Sequence, residues 1–158
     1  MTLEKVISGG QTGADRAALI AARAAGIPTG GWMPKGFRAH DGEHPEFAEL
    51  YGVRETTSAH YPPRTAMNVK DADATLRFAT DWDSPGEVLT LELCLRYKKP
   101  HLAVTPDGGL SPADVAAWLK ANGVRVLNVA GNAERTSPGI GAFVAVFLAD
   151  VFEIVTSS

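Results

Sequence analysis

The residues best suited to chemistry form a glycine-rich turn near the start of the chain. A short β-branched run ends at Gly9 and Gly10, and an alanine-rich helical pattern begins shortly afterwards. Thr12 is predicted to be the N-cap of that helix, with Asp15 as its capping-box partner. Amides at a helix start point outward and carry the positive end of the helix dipole, so the turn suits a phosphate or another anion. The predicted ligand-binding positions of this turn are Gly9, Gly10, Gln11, Thr12 and Gly13.

This turn departs from the two common phosphate-binding motifs. Its spacing is not the Gly-x-Gly-x-x-Gly of dinucleotide-binding folds, and no lysine follows the last glycine as it does in a P-loop. A tight strand-to-helix turn that binds nothing is therefore the alternative interpretation, in which Asp15 only caps the helix.

Further candidate positions follow the ends of later predicted strands. In an open parallel sheet, ligands bind outside the carboxyl ends of the strands. Glycine, aspartate and asparagine gather at these ends, although they also make ordinary turns. The predicted binding positions are Gly31, Trp32, Asp81, Ser84, Gly86, Gly131 and Asn132. Trp32 and Trp82 are candidates for stacking on a heterocycle. Cations for an anionic group are available at Lys35, Arg38 and Arg64.

Two other groups of reactive side chains are assigned no chemistry. His40 and His44 have metal-ligand side chains, but Gly42 and Pro45 break the helix that would align them. Cys94 lies in a leucine-rich helical stretch, where a buried thiol is inert. We therefore predict neither a metal site nor a catalytic residue.

Alternating strand and helix signals must position the candidate residues. They predict an α/β protein, a three-layer Rossmann-like fold with a largely parallel sheet of about five strands and helices on both faces. The first helix is expected over about 14–25, with Gly26 as its stop. Three later helices are predicted to begin at a serine followed by proline, with capping boxes in the first two: Ser84, Ser111 and Ser137. Residues 33–63 are broken by proline and glycine and are predicted to form an irregular loop, a candidate lid over the site.

The composition is that of an ordinary globular domain. The chain has 158 residues, 45% of them hydrophobic, and a formal net charge of -3. This charge gives no electrostatic reason to expect nucleic acid or an anionic membrane as a partner. The single cysteine excludes an internal disulfide and fits a reducing compartment, and neither a membrane span nor a signal peptide is recognisable. We expect a single cytoplasmic domain over residues 1–158.

Several stretches of the chain resemble a known family. Residues 8–19, which read SGGQTGADRAAL, and residues 31–36, which read GWMPKG, are similar to the molybdenum carrier family. The similarity continues in the same order at Tyr61 with Arg64-Thr65, Asn68-Val69, Asp73-Ala74-Thr75, Lys99-Pro100, Asn128-Val129-Ala130-Gly131 and Pro138-Gly139-Ile140. It spans nearly the whole chain, and the combination of the first two motifs is specific.

The resemblance implies a Rossmann-like fold of the SLOG superfamily, which includes the Lonely Guy-type nucleotide hydrolases. It also implies a protein that binds and carries the molybdenum cofactor, molybdopterin, as cargo. Such a protein forms a homo-oligomer, a dimer or a tetramer, and hands the cofactor to molybdoenzymes. The matched motifs extend the expected binding positions to Arg16, Lys35, Gly36, Arg64, Thr65 and Asn68.

The turn after the central strand departs from the family pattern. The family usually has Gly-Gly-Thr there, whereas this chain has Ser84-Pro85-Gly86-Glu87. The negative charge of Glu87 weakens a phosphate contact at this turn. The Pro-Gly-Gly-x-Gly-Thr-x-x-Glu motif of the hydrolase branch is also incomplete, because Glu87 and Leu89 replace glycines and Glu92 is one position early.

We therefore expect a non-catalytic carrier of the molybdenum cofactor or of a similar phosphorylated heterocycle. One alternative is a nucleotide phosphoribohydrolase of the Lonely Guy type, with Glu92, Asp81 or Asp83 as its carboxylate and Arg64 holding the phosphate. The aspartates would otherwise accept hydrogen bonds from backbone amides of their own turn. A second alternative is a nucleotide-sensing module whose oligomer contacts change with the ligand.

Overall fold

The computed structural model describes residues 3–157 and contains a six-stranded parallel sheet. The sheet strands are β1 (Lys5–Ile7), β2 (Thr29–Met33), β5 (Val53–Glu55), β6 (Ala74–Phe78), β7 (His101–Val104) and β8 (Val126–Gly131). A separate antiparallel hairpin is formed by β3 (Arg38–Ala39) and β4 (Gly42–Glu43). The helices are α1 (Ala14–Ala24), α2 (Phe47–Tyr51), α3 (Tyr61–Asp71), α4 (Pro85–Arg96), α5 (Pro112–Ala121) and α6 (Ile140–Thr156).

The strand order is β5-β2-β1-β8-β6-β7, so the first strand lies near the middle of the sheet. The chain adds β2 and β5 on one side of β1, crosses to β6 and β7, and returns with β8 between β1 and β6. In this register Val6 lies opposite Leu127, and Ile7 lies opposite Asn128. The carboxyl ends of β1, β8 and β6 therefore meet at the centre of one sheet edge. This architecture confirms the predicted α/β Rossmann-like fold, with one strand more than expected.

The two faces of the sheet differ in polarity. Helices α1, α5 and α6 cover one face, where the main hydrophobic core includes Leu76 and Phe78 of β6. Alternate strand residues point to opposite faces, so Thr75 and Arg77 lie on the other face, under α3 and α4. There Asn128 Nδ2 donates a hydrogen bond to Thr75 Oγ1 at 3.2 Å. The centre of this second face is polar and receives the candidate site.

The predicted capping box of the first helix is wrong. Helix α1 begins at Ala14 with Gly13 as its N-cap. The Thr12 hydroxyl instead accepts a hydrogen bond from the Glu134 amide at 3.3 Å. The carboxylate of Asp15 accepts a hydrogen bond from the Gln11 amide at 3.4 Å, and the side chain is buried beneath the glycine turn.

Only one of the three serine–proline helix starts behaves fully as predicted. In α5, Ser111 Oγ accepts from the Asp114 amide at 3.1 Å, and Asp114 Oδ2 accepts from the Ser111 amide at 2.9 Å. Ser84 is the N-cap of α4, but its hydroxyl accepts a hydrogen bond from Asn132 Nδ2 at 3.4 Å and the capping box is not formed. Helix α6 begins two residues later than predicted, with Gly139 as its N-cap.

Residues 33–63 contain only short elements before α3 begins at Tyr61, in agreement with their proline and glycine content. Most of them are exposed, but a few side chains are buried against the rest of the domain. Phe47 and Val53 are buried with Leu19 of α1 and Met33 of β2 in a second hydrophobic cluster. The edge strand β5 was not predicted, because three residues bounded by glycine give too short a pattern. The function of this region as a lid stays a prediction.

Within residues 3–157, no helix is long and apolar enough to cross a membrane.

Candidate functional site

A cavity of about 390 Å³ opens where β1 and β8 end and α4 begins, beneath α3. Its walls include half of the positions predicted from the sequence: Gly9, Gln11, Arg64, Thr65, Asn68, Ser84, Gly86, Gly131 and Asn132. They also include polar residues that the sequence had not indicated as ligand-binding: Asp15, His40, Tyr61, Glu87, Thr90, Asn128 and Arg135. The cavity is therefore lined by residues of β8, of the turn that follows β1, and of the helices α1, α3 and α4.

The Arg64 guanidinium lies against the backbone of Gly9. A Cβ added to Gly9 would come within 2.7 Å of Arg64 Nε, so the absence of a side chain allows this approach. Arg64 Nη1 donates to Thr65 Oγ1 at 2.5 Å, whereas its Nε is buried without a hydrogen-bond partner in the described part of the chain. Burial lowers the pKa of Arg64, and the charge of Asp15 opposes this change. The arginine is therefore a cation with an unused donor at the cavity wall.

Asp15 supplies a buried carboxyl group next to this arginine. Burial raises the pKa of Asp15 to about 6, although Arg64, the Gln11 amide and Arg16 each lower it. Ser8 Oγ donates a hydrogen bond to the Asp15 carbonyl oxygen at 2.9 Å and thereby fixes the start of α1 under the turn.

Glu87 of α4 supplies a second carboxyl group at the cavity wall. Its side chain is buried, with 2% of the residue exposed, and Oε1 lies 3.8 Å from Arg77 Nε, beyond hydrogen-bond distance. Among residues 3–157, no group donates a hydrogen bond to Glu87 Oε1. Burial raises the pKa of Glu87 to about 7; the charge of Arg77 lowers it and that of Asp15 raises it. The guanidinium of Arg77 lies instead over the Trp82 ring, 5.0 Å from its centroid.

The carboxylates considered for a hydrolase lie elsewhere. Glu92 is exposed on α4 and pairs with Arg96 at 3.0 Å. Asp81 is also exposed, and its Oδ1 accepts the Asp83 amide at 3.1 Å, which is the turn-stabilising alternative. The cavity-facing carboxyl groups are Asp15 and Glu87 instead.

Asn132 connects the end of β8 to the turn before α4. Its Oδ1 accepts the amides of Thr80 and Asp81 at 3.0 Å each, and its Nδ2 donates to the Asp81 carbonyl at 3.1 Å. These hydrogen bonds hold the α4 N-terminus at the cavity. Asn132 therefore has a structural role whether or not it also contacts a ligand.

Trp32 points away from the cavity. Its indole Nε1 donates to Asp71 at 2.9 Å, and the Arg54 guanidinium lies 4.2 Å from its ring centroid. Asn68 makes hydrogen bonds to both the amide and the carbonyl of Trp32, at 2.9 and 3.1 Å. The aromatic ring at the cavity wall is Tyr61 rather than Trp32.

Other predicted positions also lie outside the cavity wall: Gly10, Thr12, Gly13, Arg16, Gly31, Lys35, Gly36 and Asp81. Arg16 pairs with Asp41 of the β3–β4 hairpin at 2.5 Å. Gly10 has a φ of +70°, and a Cβ there would lie 2.5 Å from Met33 Sδ. The chain requires glycine at this position for its own packing, so a Gly10 substitution would disturb the core as well as any ligand.

Two histidines, His40 and His44, form hydrogen bonds in the loop above the cavity. The His40 amide donates to Gln11 Oε1 at 2.8 Å, while burial and the nearby charges of Arg135 and Arg64 lower the pKa of its ring. His44 Nε2 lies 2.8 Å from Asp41 Oδ1. Across the residues that the structure describes, no group of three or more histidine, cysteine or acidic side chains is placed to hold a metal ion.

Comparisons with known proteins agree with the resemblance inferred from the sequence. Residues 6–152 match the circularly permutated YpsA SLOG family. A crystal structure from Syntrophus aciditrophicus SB, named a putative molybdenum carrier protein, is 38% identical, with a TM-score of 0.84 over 98% of this chain and 95% of that one. No curated protein matches the chain.

Proposed function

This chain belongs to the circularly permutated YpsA SLOG family, and we propose that it is a binding or carrier protein for a phosphorylated heterocycle such as the molybdenum cofactor. The name of the similar Syntrophus protein supports a molybdenum-related cargo. The cavity supports a small ligand, since its volume of about 390 Å³ lies within the range of ordinary small-molecule sites.

The observation that carries this proposal is the unused donor of Arg64. A buried donor without a partner costs about 1–3 kcal/mol, and more when it is charged. An anionic ligand group beside Gly9 would accept this hydrogen bond and neutralise the guanidinium. The N-terminus of α4 reaches the same cavity at Ser84 and Gly86, and its dipole also favours an anion. A phosphate is the common biological group that fits these donors.

A hydrolase is the second candidate function, because Asp15 and Glu87 both face the cavity with raised pKa values. Carboxyl groups with such pKa values are typical of general acids and bases. Glu87 makes no hydrogen bond to a described residue that would orient it for proton transfer, and this favours binding over catalysis.

We also propose that the protein is a homo-oligomer that uses the outer face of α4. Val88 and Leu95 are 53% and 62% exposed, and they line a shallow groove with Leu91, Trp82 and Ala103 of β7. Contiguous apolar surface of this kind is typical of protein–protein contacts.

The carrier proposal is tested first on the protein as purified. We expect it to contain a phosphorus-bearing heterocycle that mass spectrometry, ultraviolet absorbance and molybdenum analysis identify. Arg64→Ala should weaken retention of this ligand roughly 10- to 100-fold, because a charge-assisted hydrogen bond contributes about 1.5–3 kcal/mol.

Arg38→Ala is the matched control. Both arginines lie 5.2 Å from the Tyr61 ring centroid, but of the two only Arg64 lines the cavity. Equal ligand loss in the two variants would contradict the proposed role of Arg64. Release of free base from a nucleoside monophosphate by the wild type, abolished in Glu87→Gln, would establish the hydrolase instead.

A further inference from the structure

We propose that Glu87 recognises the ligand's heterocycle by accepting two adjacent N–H groups, so that the cavity selects a 2-amino-4-oxopyrimidine edge, as in guanine or a pterin. This inference rests on the proposed function, because it assumes a phosphorylated heterocycle in the same cavity. It adds which hydrogen-bonding edge of the heterocycle the protein recognises.

The first supporting observation is that Glu87 has an acceptor for which the chain supplies no donor. The residue is buried at the cavity wall, and its ion-pair partner, Arg77 Nε, lies 3.8 Å from Oε1. Both of these atoms are buried without a hydrogen-bond partner among residues 3–157. A buried carboxylate oxygen in this state loses its hydration and receives no hydrogen bond in exchange.

The second observation is that the two carboxyl groups of the cavity differ in their surroundings. Asp15 accepts the Gln11 amide and is compensated by the charges of Arg64 and Arg16. Glu87 is compensated by Arg77 alone, and Asp15 adds to its unfavourable electrostatics. Asp15 therefore interacts with Arg64, the cation that attracts the anionic group of the ligand, whereas Glu87 is available to contact a different part of the ligand.

The geometry of a carboxylate determines which chemical groups this part of the ligand can present to Glu87. Its two oxygens accept two parallel N–H donors in a planar arrangement, as they do from arginine. A 2-amino-4-oxopyrimidine presents a ring N–H beside an exocyclic amino group and matches this arrangement. In place of the amino group, hypoxanthine carries a hydrogen and lumazine an oxygen. Adenine presents a ring acceptor where the ring N–H would be. Each of these would leave a carboxylate oxygen unpaired or facing an acceptor.

The test uses calorimetric titration of the protein, freed of copurified ligand, with two matched pairs of probes. GMP and IMP differ only in the 2-amino group of a nucleotide, and pterin and lumazine differ at the same position of a pteridine. In the wild type we expect GMP to bind about 10- to 100-fold more tightly than IMP, or pterin more tightly than lumazine by the same factor, because one hydrogen bond to a charged group is lost. The pair that shows the preference distinguishes a nucleotide ligand from a pterin ligand.

Glu87→Gln should remove the preference, because glutamine keeps the shape but replaces one acceptor oxygen with a donor. GMP and pterin then lose a hydrogen bond, IMP changes little, and lumazine gains a donor for its 2-oxo group. Glu92→Gln is the control, since Glu92 is exposed on the same helix and paired with Arg96. Equal affinity for both members of each pair in the wild type, or a preference that survives in Glu87→Gln, would overturn the inference and leave the proposed function intact. Failure of all four probes to bind would also overturn the inference, whereas the proposed function is tested separately by the ligand that the purified protein contains.

Discussion

At the scale of single residues, Arg64 and Glu87 show what side-chain chemistry alone can predict. Arg64 was one of three cations that the sequence offered for an anionic group, and the structure places it against Gly9. Glu87 was expected to cap α4 because it lies three residues after Ser84. The sequence signal for the actual environment of Glu87 was Arg77, an arginine in the middle of the buried strand β6. In the structure Arg77 Nε lies 3.8 Å from Glu87 Oε1. Which carboxylate faces Arg77 depends on how α4 crosses the sheet, and no local pattern contains that information.

The buried carboxyl of Glu87 should make stability depend on pH. Its folded-state pKa of about 7 lies above the ordinary glutamate pKa of 4.5, so the native state binds this proton more tightly than the unfolded state. Stability from this group is therefore fully present below about pH 4 and is lost as the pH rises toward 7 and beyond. Glu87→Gln cannot titrate, so its stability relative to the wild type should rise by about 2 kcal/mol between pH 5 and pH 8.

Urea unfolding at the two pH values measures this difference. Asp15 titrates in both proteins, so its contribution largely cancels in the comparison. The exposed Glu92→Gln variant should show no comparable change. A constant difference between Glu87→Gln and the wild type across this pH range would mean that Glu87 is not buried as the structure has it.

At the scale of elements, helix starts were easier to find from the sequence than the hydrogen bonds that cap them. Each serine–proline pair lies at or close to a helix start, yet only Ser111 forms the full capping box. Ser84 contacts Asn132, and Ser137 shares a hydrogen bond of 2.6 Å with Thr80. These competing partners come from distant strand ends, so the sequence pattern cannot reveal them. Strand β5 was missed for a related reason, because it forms only by pairing with β2.

Replacing the two capping serines should therefore have different effects. Ser111→Ala should lower the free energy of unfolding by about 1 kcal/mol, since it removes the hydroxyl that accepts the Asp114 amide at the start of α5. Ser84→Ala loses only a contact at 3.4 Å and should cost less than about 0.5 kcal/mol. Denaturant unfolding of both variants measures the difference, and similar losses would show that the capping box contributes nothing specific.

At the scale of the whole molecule, the parallel sheet and the edge at which its ligand site lies were predictable. The strand order was not, because placing β8 between β1 and β6 requires a crossover that local signals do not encode. That order determines the site, since it brings Gly9, Asn128 and the start of α4 to one cavity. It also leaves α4 and the edge strand β7 on the outside, with an apolar groove between them.

This groove gives the last prediction, a dimer related by a two-fold axis through α4. An axis of this kind places the same surface of each copy against itself. Val88 and Leu95 would then be buried, while Glu92 and Arg96 give each copy one charge of each sign at the edge of the patch. Arg77 and Glu87 line the groove, and Glu87 also lines the cavity, so a partner over the groove would also shield the Glu87 carboxylate from water.

Leu95→Glu should convert the dimer to a monomer, because an unpaired charge buried at the interface costs about 3–5 kcal/mol and weakens association at least roughly 100-fold. Ile20→Glu on α1 is the control, since Ile20 is 50% exposed outside the groove. Sedimentation velocity of the three proteins at one concentration measures the assembly state. A monomeric wild type, or a Leu95→Glu variant that sediments with the wild type as a dimer, would exclude α4 as the interface.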